Sequence, residues 1–311
     1  MGPETAPFRG ENSRQDGEAD EILFVPPSFR KGCAARRLLA GDGASRRIRV
    51  EAAVDCNMWD ADNVKLYDAW YASPKGAYAL SCEQALINSL VSAWPRRNST
   101  LLEIGCGTGV FMELFWEAGF EVYGLDSSPD MLEAARARMG HKAEFFLGRG
   151  EHTPFADGEF DFAAFITSLE CMRNPEEALA EAFRVAQKGI LVVFLNRWSF
   201  YWLEASGLPR LARRFPWRKS ARVATLQQIE WLSMLTLRRM LWKLNIRAPV
   251  TCRSTLYAPS FLWKERKSRK PSPSRWGILP FGGVVAARID LSPVSVTPMP
   301  LRHPKALTAT Q

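Results

Sequence analysis

Leu101-Leu102-Glu103-Ile104-Gly105-Cys106-Gly107-Thr108-Gly109 is the stretch on which the reading of this chain turns. Apolar residues around one glutamate lead into glycines at every second position. That is the pattern of a buried parallel strand running into a tight turn and then a helix. Glycine at 105, 107 and 109 lets the backbone take positive φ and lets a ligand approach the main chain without meeting a Cβ. The run Val110 to Ala118 is helix-compatible and Gly119 is a good stop. The free N–H groups of such a helix face whatever anionic group sits in the turn. A second strand, Glu121 to Leu125, ends at Asp126, 21 positions after Gly105, where a dinucleotide-type fold places a carboxylate against ribose hydroxyls.

A dinucleotide fingerprint needs a third glycine where this chain has Val110. The spacing is instead Gly-x-Gly-x-Gly preceded by an acidic residue. From about 60 to 196 the chain resembles a class I S-adenosylmethionine-dependent methyltransferase of the small-molecule type, similar to the quinone-biosynthesis methyltransferases. That cofactor carries no phosphate, so its turn has only to admit an amino acid and a sugar. The resemblance implies a Rossmann-like α/β fold: seven strands, mostly parallel, an antiparallel seventh strand, and helices on both faces. It implies S-adenosyl-L-methionine as cofactor, with the backbone of Gly105, Cys106, Gly107 and Gly109 around its methionine end. Glu103 would orient the ammonium directly or through water, and Asp126, followed by Ser127, would bind the ribose hydroxyls.

Downstream residues extend the resemblance. Ser127 or Ser128 can cap a helix over Pro129–Met139, and Ala143–Leu147 reads as the next strand. The loop Gly148–Phe155 resembles the segment that holds adenine, with two departures: Arg149 stands where relatives usually have Asp, and Thr153 where they have Leu. A carboxylate accepts from the adenine amino group and an arginine cannot. Adenine is then left to the backbone N–H groups of Gly150 or Glu151, to the Glu151 side chain, or to stacking. Gly158–Thr167 matches the fourth strand, and Ser168-Leu169-Glu170-Cys171-Met172 follows at the rim where open α/β sheets bind ligands. Many relatives carry a histidine near Cys171; this chain does not. Pro175–Val185 reads as a helix, and Lys188-Gly189 as a turn into the buried strand Ile190–Leu195.

Outside this core the signals are broader. Residues 1–57 lack periodicity and are expected to be a disordered extension; Met58 directly precedes the first structured stretch and is the expected start of the folded protein. The acidic residues of that extension and its lack of an apolar core fit neither a transit peptide nor a secretory signal. Residues 58–291 are the expected methyltransferase domain, with lid helices in 58–95 broken at Ser73–Gly76 and a substrate-side insert at 197–245. In relatives the segment resembling Tyr67-Asp68-Ala69-Trp70-Tyr71 lies over the cofactor mouth; the alternative is that these aromatics simply pack on the sheet. Thr225-Leu226-Gln227-Gln228 is a capping box expected to open a helix with Leu226, Ile229, Leu232, Leu235, Met240 and Leu244 apolar. Val250–Tyr257 and Gly283–Ile289 are the expected closing strands, Lys264–Lys270 a basic hairpin loop between them, and 292–311 a disordered tail.

Composition narrows the class. The six cysteines are scattered singly and no histidine cluster exists, so neither a disulfide framework nor a metal site is expected, and a cytoplasmic setting is the default. No run of 18 apolar residues offers a transmembrane helix. Residues 58–196 hold eleven basic and twenty acidic side chains, whereas 197–311 hold twenty-one basic and four acidic, so the net charge of +8 sits entirely after the cofactor segment. With Trp198, Phe200, Tyr201, Trp202, Phe215 and Trp217 interleaved, the basic 197–275 region suits an anionic membrane or RNA as a peripheral partner, or a solvated face over a hydrophobic substrate. The chain lacks the Asn/Asp-Pro-Pro-Tyr/Phe sequence of exocyclic-amine nucleic-acid methyltransferases and has Thr167-Ser168-Leu169-Glu170 instead. The expected acceptor is therefore a small molecule, hydrophobic or anionic. An RNA or protein methyltransferase and an inactive binding protein of the same fold are the competitors. His152, Tyr67 and Tyr71 are weak candidates for a base, and an acidic acceptor needs none.

Overall fold

Residues 59–205, 230–263 and 281–291 are described by the structure, a computed structural model. The strands are β1 (Thr100–Ile104), β2 (Glu121–Asp126), β3 (Ala143–Leu147), β4 (Phe160–Ile166), β5 (Ala186–Leu195), β6 (Val250–Thr255) and β7 (Val284–Asp290). They form one sheet in the order β3-β2-β1-β4-β5-β7-β6. β1 pairs in parallel with both β2 and β4, and β7 runs antiparallel between β5 and β6. The chain order reverses beside β1, so the carboxyl ends of β1 and β4 part there and leave a crevice.

Strand alternation sorts the core into two layers. Leu101, Phe162, Ala164, Ile166, Leu191 and Val193 face one side, under α1 (Ala61–Ala72), α2 (Pro74–Val91), α3 (Met112–Ala118) and α4 (Pro129–Met139). Leu102, Ile104, Ala163, Phe165, Val192 and Phe194 face the other, under α5 (Pro175–Val185) and α7 (Met234–Lys243). A short α6 (Phe200–Ala205) follows β5. Both faces are thus covered, as the resemblance implies. Among the described residues no helix is long and apolar enough to cross a membrane.

Of the boundaries that differ from the sequence reading, four have a local reason. α3 starts at Met112 rather than Val110, because Gly109 is still in the left-handed region (φ 75°) and its N–H donates to the Cys106 carbonyl at 3.0 Å. β5 starts at Ala186, so Lys188 and Gly189 lie in the strand and not in a turn. The bare Cα of Gly189 admits the Trp94 indole, which stacks on Phe162 at 4.2 Å between ring centroids. α7 starts only at Met234, capped by the Ser233 hydroxyl, and Leu232 precedes it, its carbonyl accepting from the Arg197 N–H at 2.8 Å. β6 ends at Thr255, where Leu256 turns away with φ 60°. The expected capping box at 225–228, the basic loop 264–270, the 1–57 extension and the 292–311 tail lie outside the described residues.

The lid helices are joined more tightly than the expected break at 73–76. Ser73 alone ends α1 and caps α2, its hydroxyl accepting from the Gly76 N–H at 3.1 Å, and Pro74 occupies the first helical turn. Gly76 lies within α2 where a Cβ would stand 1.9 Å from the Trp70 carbonyl oxygen. Replacing it forces α1 off α2. Gly76→Ala is expected to cost about 1–3 kcal/mol of stability, read as a lowered midpoint in thermal denaturation; an unchanged midpoint would show that the junction does not depend on that contact.

Candidate active site

The glycine turn is built by hydrogen bonds to the end of β2. The Gly105 and Cys106 N–H groups both donate to the Leu125 carbonyl, at 2.7 and 3.1 Å. The Gly107 N–H donates to Asp126 Oδ2 at 2.9 Å, and the Ser128 N–H to Asp126 Oδ1 at 2.9 Å. Gly105, Gly107 and Gly109 all carry positive φ, as their spacing predicts. At Gly105 the demand is twofold, since a Cβ would also stand 2.6 Å from Ser168 Cβ on the far lip of the crevice. Ser127 is exposed, and Ser128, not Ser127, caps α4.

Glu103 lies one residue before that turn's lip, in register between Gly124 of β2 and Ala164 of β4, and the place a Gly124 side chain would take is filled by Cys106 Sγ and Met112. It is 1 % exposed and its Oε2 has no hydrogen-bond partner among the described residues. Burial, and secondarily the field of Asp126, holds its carboxyl well above the usual range. Asp126 is raised too by burial, against which the Ser128 and Gly107 N–H groups pull it down. An uncompensated buried carboxyl is costly. A cation seated beside Glu103 would remove that cost.

The remaining expected site residues reach the same rim but in other roles. Gly150 packs against the end of β1, where a Cβ would meet Ile104 Cγ2 at 2.9 Å and Met172 Cε at 2.8 Å. The Glu151 Oε1 atom accepts from the Arg173 and Asn174 N–H groups at 3.0 and 3.3 Å, and its Oε2 lies 3.5 Å from Arg149 Nε. The side chain therefore ties the loop to the start of α5, which leaves the backbone and stacking routes to adenine. Ser168 donates to the Ile104 carbonyl at 2.6 Å and fastens β4 to β1. The Cys106 thiol is buried and pushed up by burial, so the turn contributes backbone there rather than a nucleophile.

α1 is anchored to the turn. Thr108, fully buried, donates through Oγ1 to Asp68 Oδ1 of α1 at 2.8 Å, and Arg138 of α4 reaches the same Asp68 at 3.0 Å. At the other end of α1, Ser128 Oγ donates to the Trp59 carbonyl at 2.6 Å. Tyr67 and Tyr71 face each other edge to face, their centroids 5.0 Å apart, and Tyr71 meets Phe111 after the turn at 6.1 Å. Burial pushes both hydroxyls far up, so neither is a base near neutral pH. His152 is exposed on the loop, bridged through its backbone to Arg149.

Two further buried carboxyls escaped the sequence reading. Glu83 of α2 and Glu170 after β4 are each 4 % exposed, and the Oε2 atom of each lacks a hydrogen-bond partner among the described residues. Burial raises Glu83 to about 8, with a contribution from Glu170, and Glu170 to about 7 although the Leu195 N–H pulls it down. Glu83 carried a signal: it shares a helical stripe with Leu86, Ile87 and Leu90, where an acid breaks the apolar pattern.

A Rossmann-like sheet with an antiparallel strand between β5 and the edge, and a glycine turn facing a strand-end carboxylate, defines a nucleoside-binding α/β domain. Residues 102–194 match the family described as "Methyltransferase domain", so this segment is a domain of the class I S-adenosylmethionine-dependent methyltransferase type. S-adenosylmethionine is the cofactor of that domain. The chain is 35 % identical over 94 residues to a malonyl-[acyl-carrier protein] O-methyltransferase of Serratia marcescens, covering 30 % of this chain and 36 % of that one. It is 34 % identical over 104 residues to a demethylmenaquinone methyltransferase of Renibacterium salmoninarum, covering 33 % and 43 %. The chain thus spans well under two thirds of the length of these curated relatives. A solved S-adenosylmethionine-dependent methyltransferase of Thermotoga maritima superposes with a TM-score of 0.57 at 24 % identity, covering 75 % of this chain and 97 % of that one, a likeness of fold.

The buried acids make stability depend on pH in a set direction. Glu83 and Glu170 hold protons more tightly folded than at their ordinary 4.5, so their contribution is full below about 4.5 and is lost as pH rises through about 7 and about 8. The ligand-free protein is expected to melt at progressively lower temperature over that window, and Glu83→Gln to show a shallower decline. Parallel declines in differential scanning fluorimetry would show that Glu83 ionises freely in the fold.

Proposed function

We propose that this protein transfers a methyl group from S-adenosyl-L-methionine to a small-molecule acceptor in the cytoplasm. The observation that carries the reading is the buried, unpartnered Glu103 beside a glycine turn whose N–H groups are aimed at β2 and Asp126. Glu103 holds the cofactor's ammonium and so neutralises its own buried charge. The backbone of Gly105, Cys106, Gly107 and Gly109 lies along the methionine end, where side chains would obstruct it. Asp126 keeps acceptor capacity beyond its two backbone bonds and takes the ribose hydroxyls, with Ser127 exposed next to it. The N–H groups of Gly150 and Glu151 serve the adenine edge, and Ser168 holds the opposite lip in place.

The bound cofactor supplies an electrophilic methyl, so the chain's own work is to position the acceptor in line and keep water out. α1 and α2 do the latter, anchored through Asp68–Thr108 and Ser128–Trp59. The named relatives are an O-methyltransferase and demethylmenaquinone methyltransferases, which supports the chemistry of the domain without choosing one acceptor. A hydrophobic acceptor, or peripheral attachment to anionic lipid through the basic 197–275 region, is favoured by Trp198 and Phe200, 65 % and 58 % exposed at the start of that region. RNA or protein methylation through the same region, and a binding protein without activity, are the other outcomes to test.

Calorimetry with S-adenosylmethionine and S-adenosylhomocysteine is expected to show binding of both to the wild-type chain. Asp126→Ala should weaken each by about tenfold or more, the worth of a charge-assisted hydrogen bond. No heat with either ligand rejects the enzyme reading. Binding with no transfer of labelled methyl to any component of a metabolite extract, RNA or protein leaves the inactive fold.

A further inference from the structure

Beyond the cofactor's own carboxylates, the crevice holds Glu83 and Glu170, and no element of the cofactor reading uses them. They come from opposite walls. Glu83 hangs from the lid helix α2, and Glu170 sits in the turn after β4, with its Oε1 accepting from the Leu195 N–H at 3.0 Å. Each is at least nine-tenths buried with an Oε2 atom that nothing among the described residues satisfies. Glu170 lies near enough to Glu83 for its charge to raise the Glu83 carboxyl, and among the described residues neither forms an ion pair with a lysine or arginine. Tyr67, Tyr71 and Tyr201 crowd the same space, all three within the field of Glu83; Tyr67 also feels Glu103, and Cys171 feels both Glu170 and Asp126. The acids therefore adjoin the place where the cofactor's reacting end would lie.

A packing role does not account for the pair. Glu170 spends one oxygen on β5, which a glutamine would do equally well, and Glu83 occupies a helical stripe that an apolar residue would fill at no cost. Two neighbouring buried acids with orphaned oxygens and no counter-ion among the described residues destabilise the empty fold, and groups kept in that condition are candidates for ligand contact. Aromatic walls add attraction for a cation. They repel an anionic acceptor.

We propose that Glu83 and Glu170 form the acceptor subsite, and that the acceptor is an amine carrying a positive charge on arrival. This rests on the cofactor reading above. One ammonium between the two carboxyls satisfies both orphaned oxygens. The amine gives one proton to a carboxylate of the pair, and its freed lone pair attacks the methyl carbon. The nitrogen–carbon bond forms as the carbon–sulfur bond breaks, and that electron pair stays on sulfur, which becomes a neutral thioether. The positive charge passes to the methylated amine. Carboxyls held at about 7 and about 8 lie where proton exchange with an amine near neutral pH is most favourable.

The test is a calorimetric titration of the full chain, saturated with S-adenosylhomocysteine, with phenethylamine, 2-phenylethanol and phenylacetate as probes of one shape and three charges. The amine is expected to bind at least about tenfold tighter than either other probe. Glu83→Gln and Glu170→Gln should each erase most of that preference while leaving S-adenosylhomocysteine affinity within about twofold, which also reports that the variants fold. The proposal is overturned if phenylacetate or the alcohol binds as well as the amine, if no probe binds the saturated chain, or if the preference survives both glutamine variants. Should a variant fail to fold, the wild-type ranking of the three probes decides alone. Failure of the wild-type chain to take up S-adenosylhomocysteine would instead strike the cofactor reading itself, and this assignment with it.

Discussion

The site depends on keeping a peptide turn open where the sheet would otherwise close. The Gly107 N–H reaches Asp126 at 2.9 Å while Gly105 and Cys106 hang from the Leu125 carbonyl, so the turn after β1 is pinned to the end of β2 rather than to its own helix. That arrangement requires left-handed backbone at three alternate residues. It also delays α3 until Met112. On the opposite lip, Ser168 ties β4 to β1 so closely that only a glycine fits at 105. One edge of the crevice is thus held by N–H groups bonded to the Leu125 carbonyl and Asp126, and the other by the Ser168 hydroxyl on the Ile104 carbonyl.

Against this rigid frame stand carboxyls the fold leaves unsatisfied. Glu103, Glu83 and Glu170 are buried with orphaned oxygens, and burial raises all three. Acids elsewhere in the protein are treated differently. Glu181, which accepts from Thr153 and pairs with Arg184 at 2.6 Å, is held low, at about 2. Glu151, equally buried, is bonded to two N–H groups and an arginine. The fold therefore has the means to satisfy a glutamate, and does so at Glu151 and Glu181, while Glu103, Glu83 and Glu170 each keep an oxygen without a partner among the described residues. The strain concentrated in the crevice is the physical link between this structure and a cationic ligand.

Much of the core was legible because its signals are local. Strand runs, glycine spacing, the Ser128-Pro129 start and the helix over 175–185 each depend on residues within one turn or strand, and all appear where expected. Misreadings arose where distant contacts set the boundary. Lys188-Gly189 looks like a turn in isolation, yet pairing with Phe162 of β4 and Asp290 of β7 makes Gly189 a strand residue, its bare Cα leaving room for the Trp94 indole. Leu232 has the right spacing for the helix that follows, but a backbone bond from Arg197 holds it outside. Glu151 and Ser168 sit at the expected rim; which of their atoms remain for a ligand depended on Arg173, Asn174 and Ile104, partners that adjacency in sequence does not reveal.

By itself the sequence determined the strand–turn–strand that ends in Asp126 and, with it, the class of fold, because glycine spacing and strand periodicity are properties of neighbouring residues. Only the tertiary structure decided that Glu83 and Glu170 are both buried near one another with no counter-ion among the described residues. Glu83 reaches its buried position only because α2 packs against β6 and β7, and burial, which sets the charge of both acids, exists only once those distant elements have come together.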